Sequence, residues 1–258
     1  MEFSIYYKKQ QFMSKQQKKS FSFSQTTVNI FDLKGKDLDF LDTPIYEKAQ
    51  KNQNNQATIA FMEDLAKNAT ELVDEVIKST DKLVAKGEHN QVEVSYLAGF
   101  LDGDGTINVS TTKTSKDRGY VKPYKSQLNL SFIQKDRRRS FLEVIKASFG
   151  DVGLIRQKDS GVCEYNIYDE QVIVPLLKLL LPYLRVKKRQ AALAILFTTY
   201  QKKNLPNVDY LKRAMLVDVL CSYNDSKNHK NNAKVIRDQL IADNLLSAEE
   251  IKLTDFVI

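Results

Sequence analysis

The segment from Val92 to Gly105, which reads VEVSYLAGFLDGDG, restricts the possible folds of this chain more than any other segment. Its apolar residues recur at the spacing of one helical stripe, at Val94, Leu97, Ala98 and Leu101. Gly99 and Gly103 share a helical face, and each weakens a helix by about 1 kcal/mol relative to alanine. Close approach of a second backbone would offset this cost, so the glycine face predicts packing against another helix.

Two carboxylates, Asp102 and Asp104, end the same predicted helix. Acidic side chains at a helix C-terminus oppose the helix dipole, so local helix preference does not explain them. We therefore expect them to bind a positive charge such as a cation. The chain has two histidines and two distant cysteines, Cys163 and Cys221, which excludes a zinc finger or a histidine-cluster metal site.

Composition also excludes several classes of protein. Two cysteines cannot form a disulfide scaffold and are expected to be reduced thiols of an intracellular protein. The apolar runs are too short to cross a membrane, and the N-terminus lacks the apolar core of a secretory signal. The phosphate-binding pattern of P-loop NTPases is absent.

The net charge of +7 is unevenly distributed along the 258 residues. Residues 1–90 carry 13 lysines and 13 Asp or Glu residues, so the whole basic excess lies in residues 91–258. A basic excess in one region favours a polyanionic partner, most simply nucleic acid, although a basic soluble domain without such a partner has the same composition.

The first 90 residues are expected to be a partly disordered N-terminal extension, and residues 91–258 the main domain. Apolar residues at three- and four-residue steps predict one amphipathic helix, or two short ones, near 57–86, with Gly87 after the end. The polar run at 51–55 precedes it as a linker. The role of the extension is left open between a tether, an exon remnant and an import segment.

Alternation of apolar and polar residues predicts two strand pairs, at 105–113 with 125–134 and at 152–158 with 162–168. One face of the first pair carries amides and small hydroxyls, which suit the reading of base edges because a two-stranded ribbon fits the major groove. Helices are predicted at 135–150, before residue 184, and at 191–200, 207–221 and 232–246. The expected fold class is α+β, in the order αββαββα with extra C-terminal helices.

The decapeptide from Tyr96 to Gly105, YLAGFLDGDG, resembles the signature of the LAGLIDADG homing endonucleases. Four further blocks look like those of single-motif, homodimeric members encoded in group I introns of organelle rRNA genes: FIQKDRRRSFL, the strand pair after VGLIRQ, LPYLRVKKRQAAL and YNDSK. The resemblance covers about Glu93 to Leu246. It implies a saddle-shaped antiparallel sheet and an organellar location, in a mitochondrion or chloroplast.

The resemblance also implies Mg²⁺-dependent phosphodiester hydrolysis at the end of the motif helix. Asp104 matches the metal ligand, and the Gly103 carbonyl is expected to join it, since Mg²⁺ prefers oxygen ligands and keeps waters that can attack phosphorus. Gln134 matches a residue that orders water near the nucleophile. Arg138 and Lys187 match basic residues beside the cleaved phosphate, where they can stabilise developing charge.

One motif copy implies a homodimer that makes staggered double-strand breaks in a long pseudo-palindromic DNA site. The interface is expected at the motif helix, through Tyr96, Leu97, Gly99, Phe100 and Gly103. The expected DNA contacts are the polar strand faces and one later loop. They are Asn108, Ser110, Thr112, Lys125, Gln127, Asn129, Ser131, Arg156, Lys158, Glu164, Asn166, Tyr168, Asn224, Ser226, Lys227 and Lys230.

Two other functions remain open at this point. The first alternative is an RNA-binding maturase that assists splicing of its own intron, with intron RNA as partner, because an intact acidic site permits both activities. The second is a DNA-binding protein without catalytic activity, which the presence of Asp104, Gln134, Arg138 and Lys187 disfavours. No membrane partner is expected.

Overall fold

The protein, analysed as a computed structural model, is described at residues 38–51, 55–85, 91–115, 120–200, 205–224 and 229–257, which belong to one compact unit. Two helices precede the motif segment, α1 at Pro44–Lys51 and α2 at Gln56–Ala85. A single helix therefore covers the segment where the apolar pattern predicts 57–86, whereas α1 was not predicted. The expected disorder of the first residues and the position of Gly87 lie outside the described residues.

The motif segment and the strands that follow form a continuous α+β unit. Its elements are α3 at Gln91–Asp104, β1 at Gly105–Lys113, β2 at Tyr124–Lys135, a 3₁₀ turn at Asp136–Arg138, α4 at Arg139–Ser148, β3 at Leu154–Lys158, β4 at Val162–Ile167 and α5 at Glu170–Leu180. The predicted order αββαββα is confirmed.

Four further helices complete the described chain: α6 at Lys188–Thr199, α7 at Asn207–Ser222, α8 at Ala233–Ala242 and α9 at Ala248–Leu253. Helix α8 is shorter than the predicted helix at 232–246, and α9 was not predicted. Asn244 adopts a φ of 54°, a left-handed conformation that ends α8. Ser247 and Glu250 then form a capping box that starts α9.

The strands form one antiparallel sheet in the order β1-β2-β4-β3. In the β1–β2 ribbon, Asn108 pairs with Asn129, Ser110 with Gln127 and Thr112 with Lys125, so the polar residues of both strands share a face. The opposite face is apolar and lies in the core, with Ile107, Val109, Leu128, Leu130 and Phe132 buried. The helices thus cover one face of the sheet, as the alternating pattern requires.

Helix α2 belongs to the same core. Its buried stripe packs with residues of α3, the sheet, α5 and α6, through Met62, Leu65, Ala69, Val73 and Val76. Near its start, Phe61 stacks on Phe256 with ring centroids 5.1 Å apart. Packing therefore continues across the division expected near residue 90, because α2 is amphipathic; a separate role for residues 1–90 stays a prediction. Among the described helices, none is long and apolar enough to span a membrane.

Candidate active site

The end of α3 leads into the first strand without a linker, because β1 begins at Gly105 directly after Asp104. A side chain at Gly105 would overlap Leu101, so this tight turn requires glycine. The Asp104 carboxylate is exposed at the point where the helix meets the sheet. The C-terminus of α3, with the Asp104 carboxylate, therefore lies beside the first strand of the sheet.

A chain of hydrogen bonds joins three of the four predicted catalytic residues. The Gln134 amide Nε2 donates to Oδ2 of Asp104 at 2.5 Å, and Arg138 Nη1 donates to Oε1 of Gln134 at 3.2 Å. Gln134 lies at the end of β2 and is only 8% exposed, while Arg138 follows in the 3₁₀ turn. The amide thus holds a carboxylate on one side and a guanidinium on the other.

Lys187, the fourth predicted catalytic residue, reaches the same helix end from the loop before α6. Its ammonium Nζ donates to the main-chain carbonyl of Asp102. The Asp102 carboxylate in turn accepts from the main-chain N–H of Arg185 at 2.7 Å and of Lys187 at 2.9 Å. All four residues are therefore gathered at the C-terminal end of α3, although their catalytic roles stay predictions.

The donors at this end suit a hard cation. Asp104 supplies an exposed carboxylate and the exposed Gly103 a main-chain carbonyl, and oxygen ligands are those that Mg²⁺ prefers. In the described part of the chain, no group of three or more His, Cys, Asp or Glu side chains could hold a metal ion. A cation at Asp104 would therefore need further ligands from water or from a bound phosphate.

The sheet register places the predicted DNA-contacting residues of the strands on one face, opposite the core. Ser131 is paired with Asn166, and Arg156 with Glu164, which extends the polar ribbon face across β4 and β3. The exposed members are Ser110, Thr112, Lys125, Gln127, Arg156 and Lys158, and the half-buried ones Asn108, Asn129 and Glu164, while the half-buried Tyr168 follows the end of β4. We call this surface the polar sheet face.

Two predicted contact residues are not exposed in the single chain. Ser131 and Asn166 are 2% and 3% exposed because they lie on the two central strands, with neighbours on both sides. The Asn129 Nδ2 donates to Asn166 Oδ1 at 3.1 Å, and Lys158 lies 2.8 Å from Glu164. Some side chains of the polar sheet face are therefore already paired with one another, by a hydrogen bond and by an ion pair.

Ile133 and Lys135 lie on the polar sheet face and were missing from the predicted set. They pair with Glu164 and Val162 across β4. The sequence could have predicted this position, because Ile133 and Lys135 lie two and four residues after the predicted contact Ser131, and residues two apart in a strand share a face.

The predicted loop contact at Asn224 has a different partner. Its Nδ2 donates to the main-chain carbonyl of Ile107 at 2.8 Å, and Asn231 Nδ2 donates to the carbonyl of Thr111 at 2.7 Å. Cys221 Sγ lies 4.0 Å from the carbonyl of Val109 between them. The end of α7, with Asn224 and Asn231 beyond it, thus contacts alternate carbonyls of the edge strand β1. Lys230 is exposed, while Ser226 and Lys227 lie outside the described residues.

The predicted dimer face of α3 is open in the single chain. Tyr96 is 61% exposed, and a Cβ added at Gly99 or Gly103 would meet no atom within 4 Å. Leu97 and Phe100 are half-buried, and the Phe100 ring stacks on Phe132 with centroids 5.4 Å apart. The two glycines are therefore not required for packing within the described part of the chain.

Sequence comparison identifies relatives of this architecture. The profile of a family described as LAGLIDADG endonuclease matches residues 97–196. The DNA endonuclease I-CreI of Chlamydomonas reinhardtii is 32% identical over 154 residues, which cover 58% of this chain and 90% of that protein. The DNA endonuclease I-CvuI of Chlorella vulgaris is 29% identical over 156 residues, or 59% and 92% of the two chains.

Solved structures show the same fold. I-CvuI bound to an uncleaved I-CreI target in the presence of magnesium has a TM-score of 0.54 and 26% identity, covering 61% of this chain and 98% of that one. The archaeal I-Vdi141I in complex with DNA, at 19% identity and a TM-score of 0.53, covers 61% and 100% and shows the fold alone.

Fold, motif and relatives together define a homing-endonuclease architecture. The chain belongs to the LAGLIDADG endonuclease family.

Proposed function

We propose that this protein is an intron-encoded homing endonuclease that makes staggered double-strand breaks in a long pseudo-palindromic DNA site. It is a DNA endonuclease, a phosphodiester hydrolase, as its family membership states. The observation that carries the proposal is the bonded series Asp104, Gln134 and Arg138 at the exposed end of α3. Asp104 ends the helix that leads directly into β1, and Gln134 lies at the end of β2, so the series lies beside the polar sheet face.

The chemistry proposed for the site follows from its donors and charges. A Mg²⁺ ion held by the Asp104 carboxylate and the Gly103 carbonyl would supply an activated water and neutralise phosphate charge. Gln134 keeps Asp104 oriented through its amide N–H. Arg138 and Lys187 carry the positive charge that stabilises a pentavalent phosphate in the transition state.

Recognition is proposed for the polar sheet face. Arginine and lysine can pair with guanine, and asparagine or glutamine with adenine, in the major groove. The basic excess of residues 91–258 adds sequence-independent attraction to the phosphates.

We propose a homodimer in which two copies of α3 pack through their glycine faces. The open space at Gly99 and Gly103, together with the exposed Tyr96, supports this arrangement. An organellar location, in a mitochondrion or chloroplast, is proposed from the resemblance to intron-encoded members. The maturase alternative gains no support from the relatives, which are DNA endonucleases.

The test is cleavage of an intronless copy of the gene that contains the intron, with Mg²⁺ and with EDTA. We expect staggered ends at the insertion site, and loss of cleavage with EDTA or in Asp104→Asn. Asp151→Asn, at an exposed acid after α4, is the matched control and should cut normally. Intact double-stranded DNA after incubation with folded, dimeric wild type and Mg²⁺ would overturn the proposal.

A further inference from the structure

Asp102 makes contacts unlike those of Asp104, two residues later. Its Oδ2 accepts from the main-chain N–H of Arg185 at 2.7 Å, and its Oδ1 accepts from that of Lys187 at 2.9 Å. Each carboxylate oxygen thus binds a separate N–H of the loop that leads into α6. Hydrogen bonds to an ionised carboxylate are about twice as strong as neutral ones, so this loop is firmly attached to the helix end.

The Lys187 side chain also contacts Asp102, at its main chain. Its ammonium donates to the main-chain carbonyl of Asp102, one of the carbonyls that the end of α3 leaves without an intrahelical partner. A cation there also interacts favourably with the helix dipole. The three hydrogen bonds connect the loop, the amine and the helix end, and they restrict a side chain that is otherwise flexible.

We propose that Asp102 is a positioning residue for the cleavage reaction, which holds the Lys187 amine at the helix end that carries Asp104. The inference rests on the proposed function, because Lys187 acts on a DNA phosphate only in a nuclease. It also accounts for the acid that opposes the helix dipole: Asp102 binds the N–H groups of a distant loop, while Asp104 bonds to Gln134.

The first experiment uses the full chain with Asp102→Asn, which keeps the side-chain shape but replaces one acceptor oxygen by an amide donor. We expect the single-turnover cleavage rate to fall about 30-fold, because a small misplacement of a catalytic group has effects of this order. Affinity for the same DNA, measured with Ca²⁺, should stay within about threefold of wild type. Asp169→Asn, at a carboxylate that caps α5 by accepting from Gln171 N–H, is the matched control and should change neither value.

A double-mutant cycle separates positioning from a merely structural role. In a Lys187→Met background, Asp102→Asn should lower the residual rate by less than about twofold, because the amine that it positions is absent. A full, additive loss in that background would overturn the proposal.

A readout independent of cleavage is acetylation of Lys187 by acetic anhydride, followed by mass spectrometry. In wild type the amine is engaged with the Asp102 carbonyl, so Asp102→Asn should raise Lys187 acetylation severalfold and leave the exposed Lys125 unchanged. Asp102→Glu keeps the charge but moves the carboxylate oxygens. It should also raise the acetylation of Lys187, by a smaller factor than Asp102→Asn does. Wild-type acetylation of Lys187 in both variants would overturn the positioning role. Failure of wild type to cleave, with the acetylation change present, would count against the nuclease function alone.

Discussion

Gln134 is the residue through which a carboxylate and a guanidinium of the site are held together. Its amide N–H donates to Asp104 and its carbonyl oxygen accepts from Arg138. An amide can do both at once, whereas a glutamate would repel Asp104 and a leucine would bind neither group. Burial of Gln134 keeps this amide in one position, so the two charged side chains are oriented before a substrate binds.

Replacing Gln134 with leucine should lower the cleavage rate by about 100-fold, the usual effect of losing one oriented polar group in an active site. The measurement is single-turnover cleavage of the intronless target with Mg²⁺. Gln157→Leu, at an exposed residue of β3 that pairs with Cys163, is the control and should retain the wild-type rate. Wild-type cleavage by Gln134→Leu would contradict the assigned role.

His229 was given no role by the sequence, but it lies 2.6 Å from Asp218, measured from Nε2 to Oδ1. Asp218 also accepts from the main-chain N–H of Ala233 at the start of α8, at 2.8 Å. The adjacent Asp218 carboxylate, and next the Cys221 side chain, raise the pKa of His229 to about 10, while burial acts in the opposite direction. The ion pair therefore fastens the loop between α7 and α8 to α7.

The raised pKa of His229 predicts a pH-dependent stability. Its contribution is fully present below the ordinary histidine pKa of 6.5 and is lost as the pH rises through about 10. Between about pH 6 and about pH 10.5, the unfolding free energy of wild type should fall by about 2 kcal/mol more than that of His229→Gln. Urea unfolding of both proteins across this range is the measurement, and parallel pH profiles would contradict the prediction.

At the scale of elements, the end of α7 and the residues between α7 and α8 form contacts with the edge of the sheet. β1 is an edge strand, and unpaired edge carbonyls are a template for unwanted pairing with another chain. Asn224, Cys221 and Asn231 contact three alternate carbonyls of β1, those of Ile107, Val109 and Thr111. The C-terminal helices therefore hold the outer edge of the ribbon that carries the polar sheet face.

Removing both amides, in Asn224→Ala with Asn231→Ala, should lower the unfolding free energy by about 2 kcal/mol, or about 1 kcal/mol for each buried hydrogen bond. Hydrogen exchange of the segment 105–113, read by mass spectrometry, should become faster. Asn68→Ala, at an exposed residue of α2 that bonds only to Asp64 in the described contacts, is the matched control. Unchanged exchange in the double variant would show that the loop does not support β1.

At the scale of the whole molecule, helix α2 is part of the core of the described chain, whereas the glycine face of α3 is exposed. Residues from Leu38 onward share the core of the family domain, through the stripe of α2 and the contact of Phe61 with Phe256. The glycine face of α3, in contrast, makes no contact that would require glycine with the residues that the structure describes. The buried core of the described chain and the proposed dimer face are thus different surfaces.

Gly99→Leu should leave the single chain folded but prevent the proposed dimer, because two backbones could no longer approach at this face. We expect sedimentation to shift from dimer to monomer, with an unchanged circular dichroism spectrum. Ala147→Leu, at an exposed position of α4, is the control for an added apolar side chain. A Gly99→Leu protein that stays dimeric would exclude the glycine face as the interface.

The sequence by itself determined the family and the elements from α3 to α7, whereas α1 and α9 were not predicted. The helical stripe before Asp104 and the alternation in β1 and β2 depend on residues close in the chain, so their patterns predict local structure directly. The motif and its following blocks identified the residues gathered at the end of α3. The α+β order followed from the same patterns.

Only the tertiary structure decided which of these residues are in contact and which are buried. Asp102 bonds to N–H groups more than 80 residues away, and Asn224 turns to a carbonyl of β1 that is 117 residues distant. Ser131 and Asn166 are buried because β2 and β4 are the central strands, an order that alternation alone does not specify. Contacts between distant segments depend on how the elements pack, and a local sequence pattern contains no information about that packing.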